Sequence, residues 1–217
     1  LGKDIAEAKE FLDACGSRGI LVQVNYWRRA DELMQGLARP EREDGIGRLQ
    51  GGLGVYGNGL RNNGSHLVDL IRMLSGEAVS VQALGAAVPM TGSPLKSDVQ
   101  VPFAVELTRG APLAVMPLDF AHYREVGLDL WGTSGRLSIL LEGLSSRQYP
   151  VRPNRALSDA REISPDDAVV YEPTAGMALY RMHDNMFRSL TEGASLHSSG
   201  NSALATERII EAVLESA

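Results

Sequence analysis

The sequence predicts an α+β protein: a largely antiparallel sheet with helices on one face, preceded by a helix and strand of α/β character. Three observations carry this. Strand-like runs between residues 79 and 141 follow one another across turns too short for helical crossovers. Helical periodicity is confined to the flanks and to one segment before the first of those runs. The opening helix leads into a short apolar run with no parallel partner nearby.

Taken in order, residues 4–18 form an amphipathic pattern, with Ile5, Ala8, Leu12 and Cys15 on one stripe. Asp4 is its natural N-cap, and Gly16 and Gly19 offer the stop. Residues 20–24 (Ile-Leu-Val-Gln-Val) read as a buried strand, whose edge this chain alone leaves unpaired. Residues 30–39 read as a second helix ended before Pro40, 46–56 as extended, and 64–75 as a third helix. Strands follow at 79–88, 99–108, 112–120, 126–132 and 136–141, with turns at 91–94, Arg109-Gly110 and Thr133-Ser134-Gly135. Residues 150–176, rich in Pro, Ser and Asp, read as an irregular excursion. Helices near 177–193 and 202–216 close the chain.

Composition narrows the function classes. At 217 residues the chain can bury one sizeable core, and 44% hydrophobic with 22% charged residues excludes wholesale disorder. A net charge of -6 argues against a nucleic-acid surface. One cysteine, Cys15, rules out a disulfide framework and a multi-thiolate zinc site, and it should be inert core. His183 and His197 lack ligand-spaced partners, so no metal is expected. A reducing, cytoplasmic setting is the expectation. Residue 1 is Leu and no signal-peptide pattern follows, so a segment is expected to be missing upstream.

Gly52-Leu53-Gly54-Val55-Tyr56-Gly57 matches G-x-G-x-x-G in letters only. It falls in an extended segment rather than at a strand-to-helix turn, and no acidic residue closes a following strand. It is read as strand and loop glycine. The segment 62–70 says more. His66 and Asp69 share a helix face near its N-terminal turn, where a neutral imidazole suits a proton acceptor. A satisfied capping histidine is the plainer alternative. Asn25, Tyr26 and Arg28 follow directly on the 20–24 run, well placed to meet a ligand, or else to lie in solvent. Tyr123, beside His122 and Arg124, ends a strand and can line the same cleft or plain surface.

Several segments, in order, resemble the glucose–fructose oxidoreductase/inositol dehydrogenase/MocA family. Residues 1–8 resemble the helix that follows that family's Glu-Lys-Pro motif. Residues 24–31 (Val-Asn-Tyr-Trp-Arg-Arg-Ala-Asp) are similar to its post-strand Arg-pair stretch, and 59–70 to its "G-S-H-x-x-D-L" helix start. Residues 131–135 resemble its G-T-x-G hairpin, and 199–212 its closing helix.

The resemblance implies that residues 1–25 are the last helix and strand of an N-terminal Rossmann domain. Residues 26–217 would be a C-terminal domain that binds substrate and builds a homo-oligomer through its open sheet face. It implies an oxidoreductase acting on a sugar, sugar-nucleotide or cyclitol, with NAD or NADP in the intact enzyme and none bound tightly by this chain. The family's catalytic His carries over to His66, and its substrate contact to Arg28. Where many members have Asp, this chain has Asn62, which can orient His66 or a substrate hydroxyl but cannot take a proton. Asn25, Tyr26, Asp69 and Tyr123 complete the expected substrate contacts. A sugar-binding or assembly module without catalysis is the alternative.

Overall fold

The computed structural model describes residues 1–39, 45–108 and 110–217. Pro40 and Arg109, read above as a helix stop and part of a turn, lie outside the described residues.

Helix α1 (Ile5–Gly16) is capped by Asp4, whose carboxylate accepts from the Glu7 N–H at 2.9 Å. Ala8 and Cys15 are its buried residues, as the periodicity predicts. The strand expected at 20–24 does not form. Only Gln23 makes a bridge, to Ser199, while Val24 N–H donates to Ser198 and Gly200 N–H to Val22. Among the described residues no strand of the sheet runs beside this apolar stretch, and Ile20 and Leu21 stay exposed.

The single helix expected at 30–39 is two short pieces, a 3-10 turn at Trp27–Ala30 and α2 at Glu32–Leu37. Asp31 separates them: its backbone is extended and its side chain caps α2 through the Met34 N–H. Strand β1 (Leu49–Gly57), a π-helical turn at Leu60–Gly64 and α3 (Ser65–Ser75) follow. Then come β2 (Ala78–Ala83), β3 (Val88–Pro89), β4 (Val99–Gln100), β5 (Phe103–Leu107), β6 (Pro112–Leu118), β7 (Gly127–Gly132) and β8 (Gly135–Leu140).

Residues 150–176 are more regular than their composition suggests. They complete β9 (Ser145–Pro153) and supply β10 (Arg161–Ile163) and β11 (Val169–Tyr171), both antiparallel to β9. Arg152 and Arg155 pair with Glu162 across the β9–β10 arm, so charged cross-strand pairs take the place of apolar alternation. Helices α4 (Ala178–Glu192) and α5 (Gly200–Glu215) close the chain.

The main sheet runs β10-β9-β8-β7-β1-β6-β5-β2, and its one parallel pair is β1 with β6. On one face α3 packs over β1, and α5 packs against α3 and β2. Tyr56, Leu67, Phe103, Leu113, Val115, Leu128 and Ile139 fill the space between, each fully buried. The opposite face carries Leu53, Ala104, Ala114, Met116 and Trp131, and among the described residues no element covers Leu53 or Met116. The string Gly52–Gly57 is central strand: a Cβ on Gly54 would touch Leu67 of α3, and one on Gly52 would press on Leu113 and Leu130.

Candidate functional site

The site gathers three pieces of chain distant in sequence: the 3-10 turn at Trp27–Ala30, the start of α3, and the turn between β8 and β9. Gly59, with φ +98, breaks out of β1 and lets the chain reverse into α3. Buried Asp98 fixes that reversal by accepting from the Arg61 and Asn62 N–H groups, at 3.1 and 3.2 Å. The α3 start thereby sets His66 beside Tyr26, the rings edge to face with centroids 5.2 Å apart.

His66 is partly buried, and neither ring nitrogen has a hydrogen-bond partner among the described residues. Its pKa is pushed down to about 4, first by desolvation and then by the neighbouring Arg28 cation; Glu142 pulls weakly the other way. At neutral pH it is therefore an uncharged imidazole with a lone pair to offer. Burial holds the Tyr26 phenol up at about 12, so it remains a proton-bearing group.

The two adjacent arginines do different work. Arg29 Nε forks onto both oxygens of Asp69, at 3.0 and 2.8 Å. Arg28 lies over the Trp27 ring, 4.3 Å from its centroid, and Nη2 donates to the Glu142 carbonyl at 3.0 Å. Leu141, Glu142 and Gly143 all have positive φ, so a strained turn presents that carbonyl.

The structure thus brings His66, Tyr26 and Arg28 together. It turns Asp69 inward: at 1% exposure its carboxylate also accepts from Thr206 and pairs with Arg72 at 3.5 Å. Burial nonetheless raises its pKa, with Arg29 and Arg72 opposing. Asn62 is not placed on His66, because its amide donates to the Asn58 carbonyl at 3.1 Å. Asn25 is exposed and lines a separate groove of 260 Å³ with Gln23, Val24, Leu179, Met182 and His183. Tyr123 is 64% exposed and makes no hydrogen bond or ring contact with the site among the described residues; its neighbour Arg124 pairs with Glu142.

Sequence reasoning missed Glu142 and Trp27. The Glu142-Gly143 pair does mark a turn after a strand, but nothing local says that the turn meets Arg28. Among the described residues, no group of three or more His, Cys, Asp or Glu side chains could hold a metal, and no helix is long and apolar enough to cross a membrane. The glycines of the 52–57 string, fixed in β1, cannot form a phosphate-binding turn.

The fold is similar to that of a C-terminal domain found in sugar oxidoreductases of the glucose–fructose oxidoreductase/inositol dehydrogenase/MocA type. Among solved structures, levoglucosan dehydrogenase in complex with NADH and levoglucosan is similar at 19% identity and a TM-score of 0.72. An oxidoreductase from Agrobacterium radiobacter, in complex with NAD+, L-tartaric acid and magnesium, gives 17% and 0.70. A super-repressor mutant of Gal80p from Saccharomyces cerevisiae gives 12% and 0.75. The matches cover 98–99% of this chain and 68% of each of those chains. At these identities the likeness is one of fold. No family model and no curated protein sequence matches this chain.

Proposed function

We propose that this chain is the substrate-binding and oligomerisation part of an NAD(P)-dependent oxidoreductase acting on a sugar, sugar-nucleotide or cyclitol hydroxyl or ketone. The observation that carries it is His66, a neutral, unpartnered imidazole flanked by a phenol and a guanidinium. Such a group accepts the hydroxyl proton as a secondary alcohol is oxidised, and returns it on reduction. Tyr26 and Arg28 hold the substrate, the Oδ1 of Asn62 and Tyr123 meet outer hydroxyls, and Asp69 orients the site from behind through Arg29. Asn25 is assigned to the rim on the α4 side.

The hydride carrier, NAD or NADP, belongs to a Rossmann domain to which residues 1–25 contribute the last helix and an apolar run that becomes a strand only beside that domain's sheet. Residues 26–217 are the second domain. Two exposed apolar surfaces support that division: Phe11, Ile20 and Leu21 at the start, and Leu179, Tyr180, Phe187 and Leu190 along α4. The uncovered sheet face supports a homo-oligomer. A cytoplasmic location fits a chain whose one cysteine is a buried thiol.

Saturation-transfer NMR of this chain against sugars, sugar-nucleotides and cyclitols tests the reading. At least one should bind and shift the His66 ring resonances; silence across the panel would sink it. Turnover of a polyol by this chain alone with added NAD(P) would overturn the division of labour. A second reading, a ligand-binding or assembly module without catalysis, draws on the likeness to a repressor, Gal80p. In the full-length protein, His66→Gln that abolishes turnover but keeps binding favours the enzyme. Binding without any wild-type turnover favours the module.

A further inference from the structure

Arg28 narrows the substrate, on the proposed reading of this site as one for a sugar-like molecule. It is 5% exposed, yet it makes no ion pair among the described residues. Its Nε is buried without a partner. Its Nη2 reaches only a backbone carbonyl, and Nη1 has no partner and is not closed off by protein. A buried guanidinium is costly unless an anion meets it.

None of the three carboxylates whose charge reaches Arg28 is hydrogen-bonded to it among the described residues: two are held by other cations and the third, Asp31, by neutral donors. Glu142 holds Arg124 at 2.9 Å. Asp31 accepts from the Met34 N–H at 3.1 Å and from the Thr174 hydroxyl at 2.6 Å. Asp69 is taken by Arg29, Arg72 and Thr206. The contrast with Arg29, forked onto a carboxylate one residue away, shows what Arg28 lacks. The guanidinium lies over the Trp27 ring and is tied by Nη2 to the Glu142 carbonyl, so Nη1 is held in place rather than swinging in solvent. Tyr26, the residue that opens the turn carrying Arg28, meets the His66 ring edge to face, so both groups belong to one site that a small ligand can meet.

We infer that the substrate is anionic: a sugar derivative bearing a carboxylate or a phosphate, which pairs with Arg28 while its hydroxyl faces His66. A neutral sugar would leave Nη1 without a charged partner in direct contact.

The test is calorimetric titration of this chain with D-glucose, D-glucuronate and D-glucose 6-phosphate at low ionic strength. Alongside it run Arg28→Met, which keeps the packing on Trp27, and Arg28→Lys, which keeps the charge. At least one anionic sugar should bind about tenfold or more tighter than glucose, as a charge-assisted hydrogen bond provides. The tighter arm distinguishes carboxylate from phosphate. The preference should vanish in Arg28→Met and survive in part in Arg28→Lys. Equal binding of neutral and charged sugars, or a preference that persists in Arg28→Met, overturns the inference and leaves the sugar reading standing.

Bare acetate and inorganic phosphate separate the remaining cases. The chain has two tryptophans, so in a Trp131→Phe background Trp27, beside Arg28, is the sole tryptophan and is excited selectively on the red edge of its absorption. If no sugar binds but an anion perturbs Trp27 emission, and does so only with Arg28 present, the anion site stands and the sugar reading falls. If neither binds, both fall.

Discussion

The imidazole of His66 meets the ring of Tyr26 edge to face, the planes at 87°. Burial of that ring pair, with the neighbouring Arg28 cation, keeps His66 uncharged and gives the fold a defined pH response. The folded pKa of about 4 lies below the ordinary 6.5. Between these values the unfolded chain binds a proton that the folded chain refuses. Stability is therefore full above pH 6.5, falls as pH drops toward 4, and loses nothing further to this group below that. At roughly 1.4 kcal/mol per pKa unit, the loss is about 3 kcal/mol. Urea unfolding at pH 7.5 and 4.5 should show wild type losing about 3 kcal/mol more than His66→Gln. Identical pH slopes would mean that His66 titrates normally.

Asp69 organises the wall behind the site, so its removal should cost stability before it costs binding contacts. Asp69→Asn leaves the Arg29 and Arg72 guanidiniums facing a neutral amide. Breaking a buried pair in this way costs about 3–5 kcal/mol. Thr206→Val, which deletes one hydrogen bond to the same carboxylate, should cost about 1 kcal/mol. Urea midpoints for the two variants check the ranking, and equal losses would show that the ion pairs carry no special weight.

Gly59 is the backbone hinge of the site. At φ +98 any side chain is strained, and a Cβ there would strike the Asp98 carboxylate that holds the Arg61 and Asn62 N–H groups. Gly59→Ala should cost about 2–3 kcal/mol. It should also displace the α3 start, and so weaken ligand binding more than the stability loss explains. Calorimetric binding measured well below the melting temperature separates the two effects.

The strands β5 to β8 were legible because their alternation and turn glycines are local signals. Valines and leucines at every second position of 103–107 and 113–115 face one core, and Thr133-Ser134-Gly135 turns the chain between β7 and β8. The β9–β11 arm was hidden because Pro150 and Pro153 interrupt the pattern and arginine–carboxylate pairs stand where apolar residues would announce a strand. Residues 20–24 misled for the opposite reason: the run is apolar enough for a strand but lacks a neighbouring one. At the site, sequence spacing put His66 and Asp69 on one helix face, yet packing left His66 half-buried against Tyr26 and closed Asp69 off entirely. That Glu142 reaches Arg28 across 114 residues is a property of the sheet order, invisible to any local pattern.

The uncovered sheet face makes the last prediction. Register places Leu53 beside Ala114 and Asp129, Met116 beside Val55, and Trp131 beside Gly51, so these side chains share the face away from α3. Leu53 and Met116 are 39% and 41% exposed, and Gly51, Ala104 and Ala114 leave a trough of 480 Å³ next to Trp131. Large residues beside a trough of small ones suit self-complementary packing about a two-fold axis, where each copy fills the other's recess. Sedimentation of the chain should give at least twice its 23.4 kDa mass. Met116→Asp, which adds charge on the exposed face and removes nothing from the core, should return it to a single chain with its melting temperature measured apart from assembly little changed. If wild type sediments as one chain at tens of micromolar, the face does not pair with itself, and the oligomer part of the proposed function falls.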